Sequence, residues 1–358
     1  MNREQGTTAA ADNAAVVAAI QASDEAAFGD LVEGYRRQLH VHCYRMLGSF
    51  DDAEDLVQET LLRAWRARAT FEGRSLFRTW LYRIATNACL SALERGPRRV
   101  LVADVAATDP RKELTPEALP HLGARPAEVA WLQPYPDELL DQAAPSESEP
   151  DAVVVSRETI QLAYLAAIQY LPPRQRAVLI LRDVLGWSAS ETGSLLEQSI
   201  ASVNSALQRA RSTLRERLPA RRTEWVSGNT LTDEERSLLE RFVDAHNRAD
   251  VAGLSALLRE DARQTMPPHL LWYDGREAML ALFANYIRPT SMHYPGALRF
   301  VATAANRQPA VATYLKRAGD SEYRLLGLNV LETDGGLITG ITSFGTQLLE
   351  RLGVPQTL

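Results

Sequence analysis

Residues 192–214 constrain this chain more than any other stretch, because they combine a turn with a long amphipathic helix. One set of apolar side chains recurs at helical spacing and predicts an inward face: Val203, Leu207, Ala210 and Leu214. The other face carries hydroxyl and guanidinium groups, which suit phosphates and base edges. A shorter helix is predicted at 188–196, before a three-residue break. This order favours a helix-turn-helix whose second helix enters the major groove of DNA, although a solvated helix packed on its neighbour has the same pattern.

The composition is typical of a globular protein, and we expect a cytoplasmic one with no membrane partner. Apolar residues make up 46% and charged residues 23% of the 358 positions, and no apolar run approaches the roughly 20 residues of a membrane helix. The first residues lack the apolar core of a secretory signal. Cys43 and Cys89 fall inside apolar helical patterns, which predicts buried thiols rather than a disulfide or a metal site.

The net charge of −6 is unusual for a DNA-binding protein, but the acidic residues are concentrated in one segment. Residues 101–156 hold eleven of the 45 acidic and three of the 39 basic residues, which leaves 34 acidic and 36 basic residues elsewhere. The isolated chain would neutralise few phosphates, so we expect its own affinity for DNA to be weak.

The N-terminal part predicts a tail followed by helices. Residues 1–22 are Ala-rich and polar and are expected to fray. A helix near 51–67 has an apolar side, predicted from Leu56, Leu61, Leu62 and Trp65. Its acidic face carries Asp52, Asp55 and Glu59 at spacings of three and four. Such a face either keeps a protein soluble or binds a basic helical partner.

A further helix, predicted at 76–93, interleaves aromatic and polar side chains: Trp80, Tyr82, Arg83, Asn87 and, just beyond it, Arg95. Aromatic rings and arginines on one helix can stack unpaired bases and hold phosphates. The same aromatic residues can also be core. We therefore expect part of this helix to be buried and part to face DNA.

Residues 98–155 predict an acidic linker, because eight prolines interrupt any helical period. Its segment 129–140 is too apolar for free solvent. We expect Trp131 and Tyr135 to dock on a neighbouring domain or on a partner.

From residue 231 the pattern changes to helices followed by strands. Thr232 and Glu235 form a capping box before the first of three helices. Strands are predicted at 298–304, 310–316, 323–333 and 336–344, with a hairpin turn at 334–336. Helices first and strands later indicate an α+β domain with one curved antiparallel sheet.

With these residues in place, the first 220 or so positions resemble a bacterial sigma factor of the extracytoplasmic-function group. DDAEDLVQETLLRAW (51–65) resembles sigma region 2.2, which binds the beta-prime coiled coil of RNA polymerase. FEGRSLFRTWLYRIATNACLSAL (71–93) is similar to the promoter-melting and minus-ten-reading regions. LPPRQRAVLILRDVLGWSASETGSLLEQSIASVNSALQRAR (171–211) resembles sigma domain 4, which reads the minus-thirty-five element.

The resemblance implies an alternative sigma factor that directs core polymerase to specific promoters, with no cofactor and no metal. Its implied partners are promoter DNA and core polymerase, contacted at the beta-prime coiled coil and the beta flap. The implied polymerase-binding residues are Asp52, Asp55, Gln58 and Glu59. Implied minus-ten contacts are Arg74, Trp80, Arg83, Asn87 and Arg95. Implied minus-thirty-five contacts are Ser199, Ser202, Asn204, Ser205, Arg209 and Arg211. The acidic linker would thread the polymerase near its active site and RNA exit path.

Two features depart from this family's pattern. Glu197 and Gln198 stand in the helix-turn-helix where related turns commonly have a glycine or a small residue, which leaves the shape of the turn open. The linker is also longer than in a minimal member of the group.

Residues 231–356 resemble the SnoaL-like group of the NTF2-like superfamily, a cone-shaped α+β fold around a pocket. The resemblance implies a domain that regulates the sigma activity in cis. Trp272, His293 and Tyr314 are the candidate pocket residues for a small-molecule ligand, and His246 and Asp274 are candidate acid-base groups. Retained catalysis, ligand sensing and a purely structural regulatory contact are the alternatives, and we favour the last.

The predicted fold class is therefore multidomain: two all-α sigma domains, a sigma domain 2 bundle (23–97) and a sigma domain 4 helix-turn-helix (156–222), followed by an α+β SnoaL/NTF2-like cone (231–356). The chain is expected not to be an enzyme. The alternatives are a SnoaL-type cyclase or isomerase, or a ligand sensor, fused to a DNA-binding module. A regulator that binds DNA without polymerase leaves the region 2.2 pattern unexplained.

Overall fold

The computed structural model describes residues 25–71, 73, 76–95, 107, 132–141, 159–217, 230–267, 271–291, 294–346 and 349–358. These residues belong to two compact units. The first unit comprises Met1–Pro97, Leu139–Val155 and Leu165–Glu224. The second comprises Arg98–Glu138, Ser156–Tyr164 and Trp225–Leu358. Both predicted sigma domains therefore contribute to one unit, while a large part of the predicted linker belongs to the other. The predicted fraying of 1–22 lies outside the described residues.

The N-terminal helices of the first unit are α1 (Glu25–Leu47), α2 (Phe50–Ala67) and α3 (Phe77–Arg95). Ser49 caps α2, because its side chain accepts a hydrogen bond from the amide of Asp52 at 3.1 Å. The acidic first turn of α2 also suits the positive end of the helix dipole. Cys43 and Cys89 are buried free thiols, as predicted.

The remaining helices before the C-terminal domain are short, except the last. They are α4 (Asp137–Asp141), α5 (Leu162–Gln169), α6 (Pro173–Leu179), α7 (Ala189–Leu196) and α8 (Ile200–Arg217). A π-helical turn, Ile180–Val184, follows α6. Pro173 occupies the first turn of α6, where its missing N–H leaves no helical hydrogen bond unmade.

The C-terminal domain packs helices on one face of a six-stranded sheet. Its helices are α9 (Asp233–Asn247), α10 (Val251–Leu257) and α11 (Arg276–Ile287). Its strands are β1 (Leu258–Thr265), β2 (Trp272–Asp274), β3 (Ala297–Ala305), β4 (Gln308–Lys316), β5 (Arg324–Asp334) and β6 (Leu337–Gly345). The strand order is β2-β1-β6-β5-β4-β3, and only the β1–β6 pair is parallel. The predicted capping box of Thr232 and Glu235 and the hairpin turn at 334–336 are confirmed.

Strands β1 and β2 were not expected from the sequence. The outward side of β1 is charged, and Arg263 pairs with Asp274 of β2 at 2.8 Å, so the strand lacks a simple apolar alternation. No helix among the described residues is long and apolar enough to span a bilayer.

Candidate nucleic-acid and polymerase interface

The acidic face of α2 is accessible to solvent, and it also carries an uncharged amide and an arginine that binds one of its carboxylates. Asp55 and Gln58 are exposed, and Asp52 and Glu59 are half-buried. Arg63 donates a hydrogen bond to Glu59 at 2.7 Å, and this bond lowers the pKa of the Glu59 carboxyl.

The predicted apolar side of α2 was wrong for Leu62. The buried side chains of the helix are Phe50, Ala53, Val57, Thr60 and Ala64. Leu56, Leu61 and Trp65 are half-buried, and Leu62 is 52% exposed. Leu62 lies one helical turn after Gln58, so the face combines carboxylates with an exposed aliphatic side chain.

Helix α3 is divided between core and surface, as expected. Tyr82 is buried, with its ring 5.0 Å from that of His42. Trp80 is half-buried, and its ring packs 5.4 Å from Phe71. The polar candidates Arg83, Asn87 and Arg95 are all exposed. Arg74 lies outside the described residues. Arg83 and Asn87 are four residues apart and therefore project from the same side of the helix, and Arg95 lies two turns beyond Asn87.

The helix-turn-helix is confirmed in its local geometry. Ser188 caps α7 through a reciprocal capping box with Glu191. The turn then passes through Glu197 in the left-handed conformation, with φ of 57°. The turn closes tightly on α7, since a Cβ at Gly193 would lie 2.7 Å from the carbonyl oxygen of Gln198. The small residue that this turn requires is therefore at Gly193, while Glu197 bears the positive φ that a glycine would adopt more readily.

The two faces of α8 follow the sequence prediction. The inward residues Val203, Leu207, Ala210 and Leu214 are all buried. The predicted DNA-contacting residues are all exposed: Ser199, Ser202, Asn204, Ser205, Arg209 and Arg211. They are placed together on one side of the helix and in the turn that precedes it, and their roles stay predictions.

Several of these polar groups already have partners within the first unit. The Ser199 hydroxyl accepts a hydrogen bond from the amide of Ser202 at 3.2 Å and so acts as a helix cap. Arg211 donates two hydrogen bonds to the carboxylate of Asp183, at 2.8 and 2.6 Å. This bidentate pair raises the pKa of Arg211.

The helix-turn-helix and the residues that precede it also contact the N-terminal helices of the same unit. Arg83 of α3 donates a hydrogen bond to Glu197 of the turn at 3.1 Å. The rings of Tyr82 and Trp187 lie 5.8 Å apart. The buried guanidinium of Arg176 donates a hydrogen bond to the carbonyl oxygen of Met46 in α1. An arginine proposed to read promoter DNA is thus paired with the turn of the second DNA-reading motif.

In the second unit, the β3–β4 hairpin turn binds the predicted linker. The turn residues Asn306 and Arg307 both have positive φ, of 56° and 57°. Asn306 makes two hydrogen bonds with the backbone of Tyr135. Its side-chain Oδ1 accepts from the Tyr135 N–H at 2.7 Å, and its backbone N–H donates to the Tyr135 carbonyl at 3.0 Å. Asn306 Nδ2 also donates to the carbonyl of Ile160 at 2.8 Å.

Two neighbouring residues extend this contact. The Arg307 amide donates to Asp137 at 2.7 Å, and the side chain of Gln308 accepts from the amide of Leu162 at 2.8 Å. Asn306 and Tyr135 are 0% exposed. We call residues 306–308 the linker clasp. Tyr135 is thus docked on the C-terminal domain, and Trp131 lies outside the described residues.

The candidate pocket residues of the C-terminal domain require correction. Side chains alternate along a strand, and Val311 belongs to the core between sheet and helices, so Tyr314 lies on the opposite face. Its hydroxyl donates to the carbonyl of Pro355 at 2.9 Å. Trp272 likewise alternates with the core residue Tyr273 and lies 5.6 Å from the guanidinium of Arg263. Neither residue faces the space between sheet and helices, and His293 lies outside the described residues.

The two candidate acid-base groups, His246 and Asp274, do not form a buried pair. Burial lowers the pKa of His246 to about 4, and its Nδ1 lies 3.0 Å from the carbonyl of Phe242. Its ring packs against Phe283 and Phe300. Asp274 is exposed and paired with Arg263, so it is not a buried carboxyl beside His246.

Sequence reasoning missed a row of polar side chains on the helix-facing side of the sheet. Gln264 donates to Ser343 at 2.9 Å, Ser343 to Asn329 at 2.6 Å, and Asn329 to Thr313 at 3.1 Å. Gln264 is only 3% exposed, and its Oε1 has no hydrogen-bond partner among the described residues. The unrecognised strand β1 concealed this row, because Gln264 belongs to it.

Comparison with known proteins agrees with this architecture. The family models for sigma-70 region 2, sigma-70 region 4 and the SnoaL-like domain match residues 31–99, 161–214 and 239–341. The fold and its surfaces therefore define a sigma-70-type factor with a SnoaL-like extension.

Comparison with individual relatives identifies the family of sigma-70-type factors to which the chain belongs. The ECF RNA polymerase sigma factor SigG of Mycobacterium tuberculosis is 42% identical over 334 residues, which are 92% of this chain and 85% of that protein. The ECF RNA polymerase sigma factor SigW of Bacillus subtilis is 31% identical over 203 residues, 56% of this chain and 92% of that protein. The crystal structure of the M. tuberculosis extracytoplasmic function sigma factor SigJ has the same fold, with a TM-score of 0.55, 18% identity, and coverage of 89% of this chain and 96% of that one. The chain belongs to the extracytoplasmic-function sigma factors, which are alternative sigma factors that initiate transcription at specific promoters.

Proposed function

We propose that this sigma factor binds core polymerase through α2, reads the two promoter elements through α3 and α8, and is restrained in cis by its C-terminal domain. The observation that carries the regulatory part is the linker clasp, which holds residues 135–137 and 160–162 by four hydrogen bonds that involve side chains, three of them buried. The resemblance to sigma factors implies that the same linker enters the polymerase.

The polymerase contact is proposed to be the face of Asp52, Asp55, Gln58 and Glu59, extended by Leu62. Carboxylates suit a basic helical partner, and the exposed Leu62 adds apolar area at the C-terminal end of this polar patch. The beta-prime coiled coil is the partner that the family resemblance implies for α2. The beta flap is the second polymerase partner that the resemblance implies for this chain.

The promoter contacts are proposed to be the exposed polar faces of α3 and α8. Arg83, Asn87 and Arg95 suit the minus-ten element, with Trp80 at the edge of the face. Residues 199–211 suit the minus-thirty-five element, because the N-terminal half of a recognition helix approaches the base edges. The Arg83–Glu197 pair joins the two faces and has to break before both can bind separated promoter elements.

The proposed restraint is a competition, because the linker clasp and the polymerase would both bind the linker. While Asn306 holds the backbone of the linker residue Tyr135 and of Ile160, which follows the linker, the linker cannot extend through the polymerase. Releasing the linker from the clasp breaks these buried hydrogen bonds, and contacts with polymerase then have to supply the lost free energy. We therefore expect the C-terminal domain to lower the activity of the free factor.

Run-off transcription with core polymerase tests the proposal. The variant Asn306→Gly keeps a residue that accepts positive φ but removes the amide that holds the linker. More promoter-dependent product is expected from this variant than from the natural chain. Gly335→Asn, at the exposed β5–β6 turn, is the matched control and should behave like the natural chain. Equal product from all three would contradict the restraint, and no product from any would contradict the sigma function.

Ligand sensing is a second candidate role for the C-terminal domain, favoured by the unpartnered Oε1 of Gln264. A buried acceptor without a partner is costly, and a ligand with a hydroxyl or amide N–H would satisfy it. Native mass spectrometry of the purified full chain tests this role, since a bound molecule adds mass and should be lost in Gln264→Leu. We propose no catalysis there, because His246 and Asp274 do not form a buried pair.

A further inference from the structure

Two amide side chains stand one helical turn apart on the exposed face of α8. Asn204 and Gln208 are both exposed and four residues apart, so they project from the same side of the helix. Ala201, one turn before Asn204, is also exposed and small. No bulky side chain at that position keeps the helix away from a groove.

The other polar groups of this face are already engaged within the chain. Ser199 caps the helix, and the Ser202 hydroxyl donates to the Gln198 side chain at 3.4 Å. Arg209 donates to Ser205 at 3.5 Å, and Arg211 is held by Asp183. By contrast, the side chains of Asn204 and Gln208 have no hydrogen-bond partner within the described parts of the chain.

We propose that Gln208, together with Asn204, determines the sequence preference of this factor by reading adenine in the major groove. An amide offers one acceptor and one donor side by side, which match N6–H and N7 of adenine. Residues one turn apart on a groove-bound helix contact neighbouring base pairs, so the two amides read nearby positions. The inference rests on the proposed role of α8 in reading promoter DNA. It adds Gln208 to the residues that read bases and names adenine as the base that is read.

The test uses holoenzyme of the full chain on a promoter library randomised over the upstream element. The natural chain should select adenine at two nearby positions. Gln208→Ala should lose that selection at one of them by about ten-fold, since a bidentate amide contact discriminates by roughly 1–3 kcal/mol. Gln208→Glu should move the preference at that position from adenine to cytosine, because a carboxylate only accepts and cytosine presents an N4–H donor.

Two variants on the same helix serve as controls. Ser212→Ala, one turn beyond Gln208 and exposed, should leave the preference unchanged. Arg209→Ala should weaken transcription about equally on all library members, because a phosphate contact carries no base information.

A chemical probe supports the assignment independently. Replacing the selected adenine by 7-deazaadenine removes the N7 acceptor, which should weaken the natural chain but not Gln208→Ala. The inference is overturned if Gln208→Ala keeps the natural preference, or if it loses product uniformly, including completely, on every sequence. Failure of the natural chain to transcribe from any library member would instead refute the proposed function.

Discussion

Each unit has a tight turn built on a non-glycine residue in the left-handed conformation, but the two side chains differ in burial. Glu197 in the helix-turn-helix has φ of 57° and a side chain that is 79% exposed. Asn306 in the β3–β4 hairpin has φ of 56° and is fully buried. The first side chain makes one surface ion pair, whereas the second accepts a hydrogen bond from the Tyr135 amide and donates one to the Ile160 carbonyl. Burial, more than backbone conformation, therefore decides what a polar turn residue contributes.

The largest expected effect is the loss of stability of the C-terminal domain in acid, because the buried His246 then has to bind a proton. The pKa of His246 is about 4 in the folded domain and about 6.5 in the unfolded chain, so the unfolded state binds the proton more tightly. The stability that depends on neutral His246 is complete above pH 6.5 and is lost as the pH falls toward 4, by about 3 kcal/mol. His246→Phe should remove this loss from the C-terminal domain.

Hydrogen exchange of α9 and α11 as a function of pH measures this effect. His42, whose pKa is lowered to about 3 by burial and by Arg45 and Arg78, should give the first unit its own acid response. That response should be unchanged in His246→Phe. A variant with the natural pH profile in α9 would contradict the role of His246.

Asn306→Gly should have the next largest effect. The turn is kept, but the amide of Tyr135 and the carbonyl of Ile160 lose their side-chain partners, which should destabilise linker docking by about 2 kcal/mol. Amide exchange of residues 132–138 measures the change. Asn306→Ala should be worse by about 1 kcal/mol, because alanine also disfavours positive φ. Equal exchange in the natural chain and Asn306→Gly would mean that the buried side chain of Asn306 contributes no more to stability than the exposed side chain of Glu197.

Glu197→Gly should have a small effect, despite the same backbone geometry. Glycine relieves about 1 kcal/mol of left-handed strain, and the exposed ion pair with Arg83 that is lost is worth about 0–1 kcal/mol. Urea unfolding followed by exchange in α7 and α8 should therefore show a change within about 1 kcal/mol. A loss of several kcal/mol would mean that the exposed turn is as tightly coupled as the buried one.

Gly335→Asn should have the smallest effect of the four. The β5–β6 turn is exposed, no atom lies within 4 Å of a Cβ at this position, and asparagine tolerates positive φ. Thermal unfolding of the full chain should shift by no more than a degree or two, within a few tenths of a kcal/mol.

The helical part of the fold could be predicted from sequence because its signals are local. The inward stripe of α8 and the capping boxes at Ser188 and Thr232 each depend on residues within one or two turns. The acidic face of α2 was found in the same way. Leu62 was misplaced, because its neighbours Leu61 and Trp65 suggested an apolar side that the packing of α2 does not use.

The C-terminal site could not be predicted to the same depth, because it depends on strand pairing between distant residues. Charges on the outward side of β1 concealed the strand that carries Gln264. Tyr314 and Trp272 were named as pocket candidates without knowledge of the strand register, and they alternate with the core residues Val311 and Tyr273, so they lie on the opposite face of the sheet. The docking of Tyr135 could be expected from its apolar surroundings, but its partner could not, because Asn306–Arg307 lacks the glycine that marks such turns.

Hydrogen exchange of residues 132–138 in the full chain, alone and bound to core polymerase, tests whether polymerase releases the linker from the C-terminal domain. We expect slow exchange at the Tyr135 amide in the free factor, because Asn306 holds it, and a large increase in exchange at residues 306–308 when polymerase draws the linker away. Unchanged protection of residues 132–138 and 306–308 in a transcriptionally active holoenzyme would contradict the proposed restraint by the linker clasp.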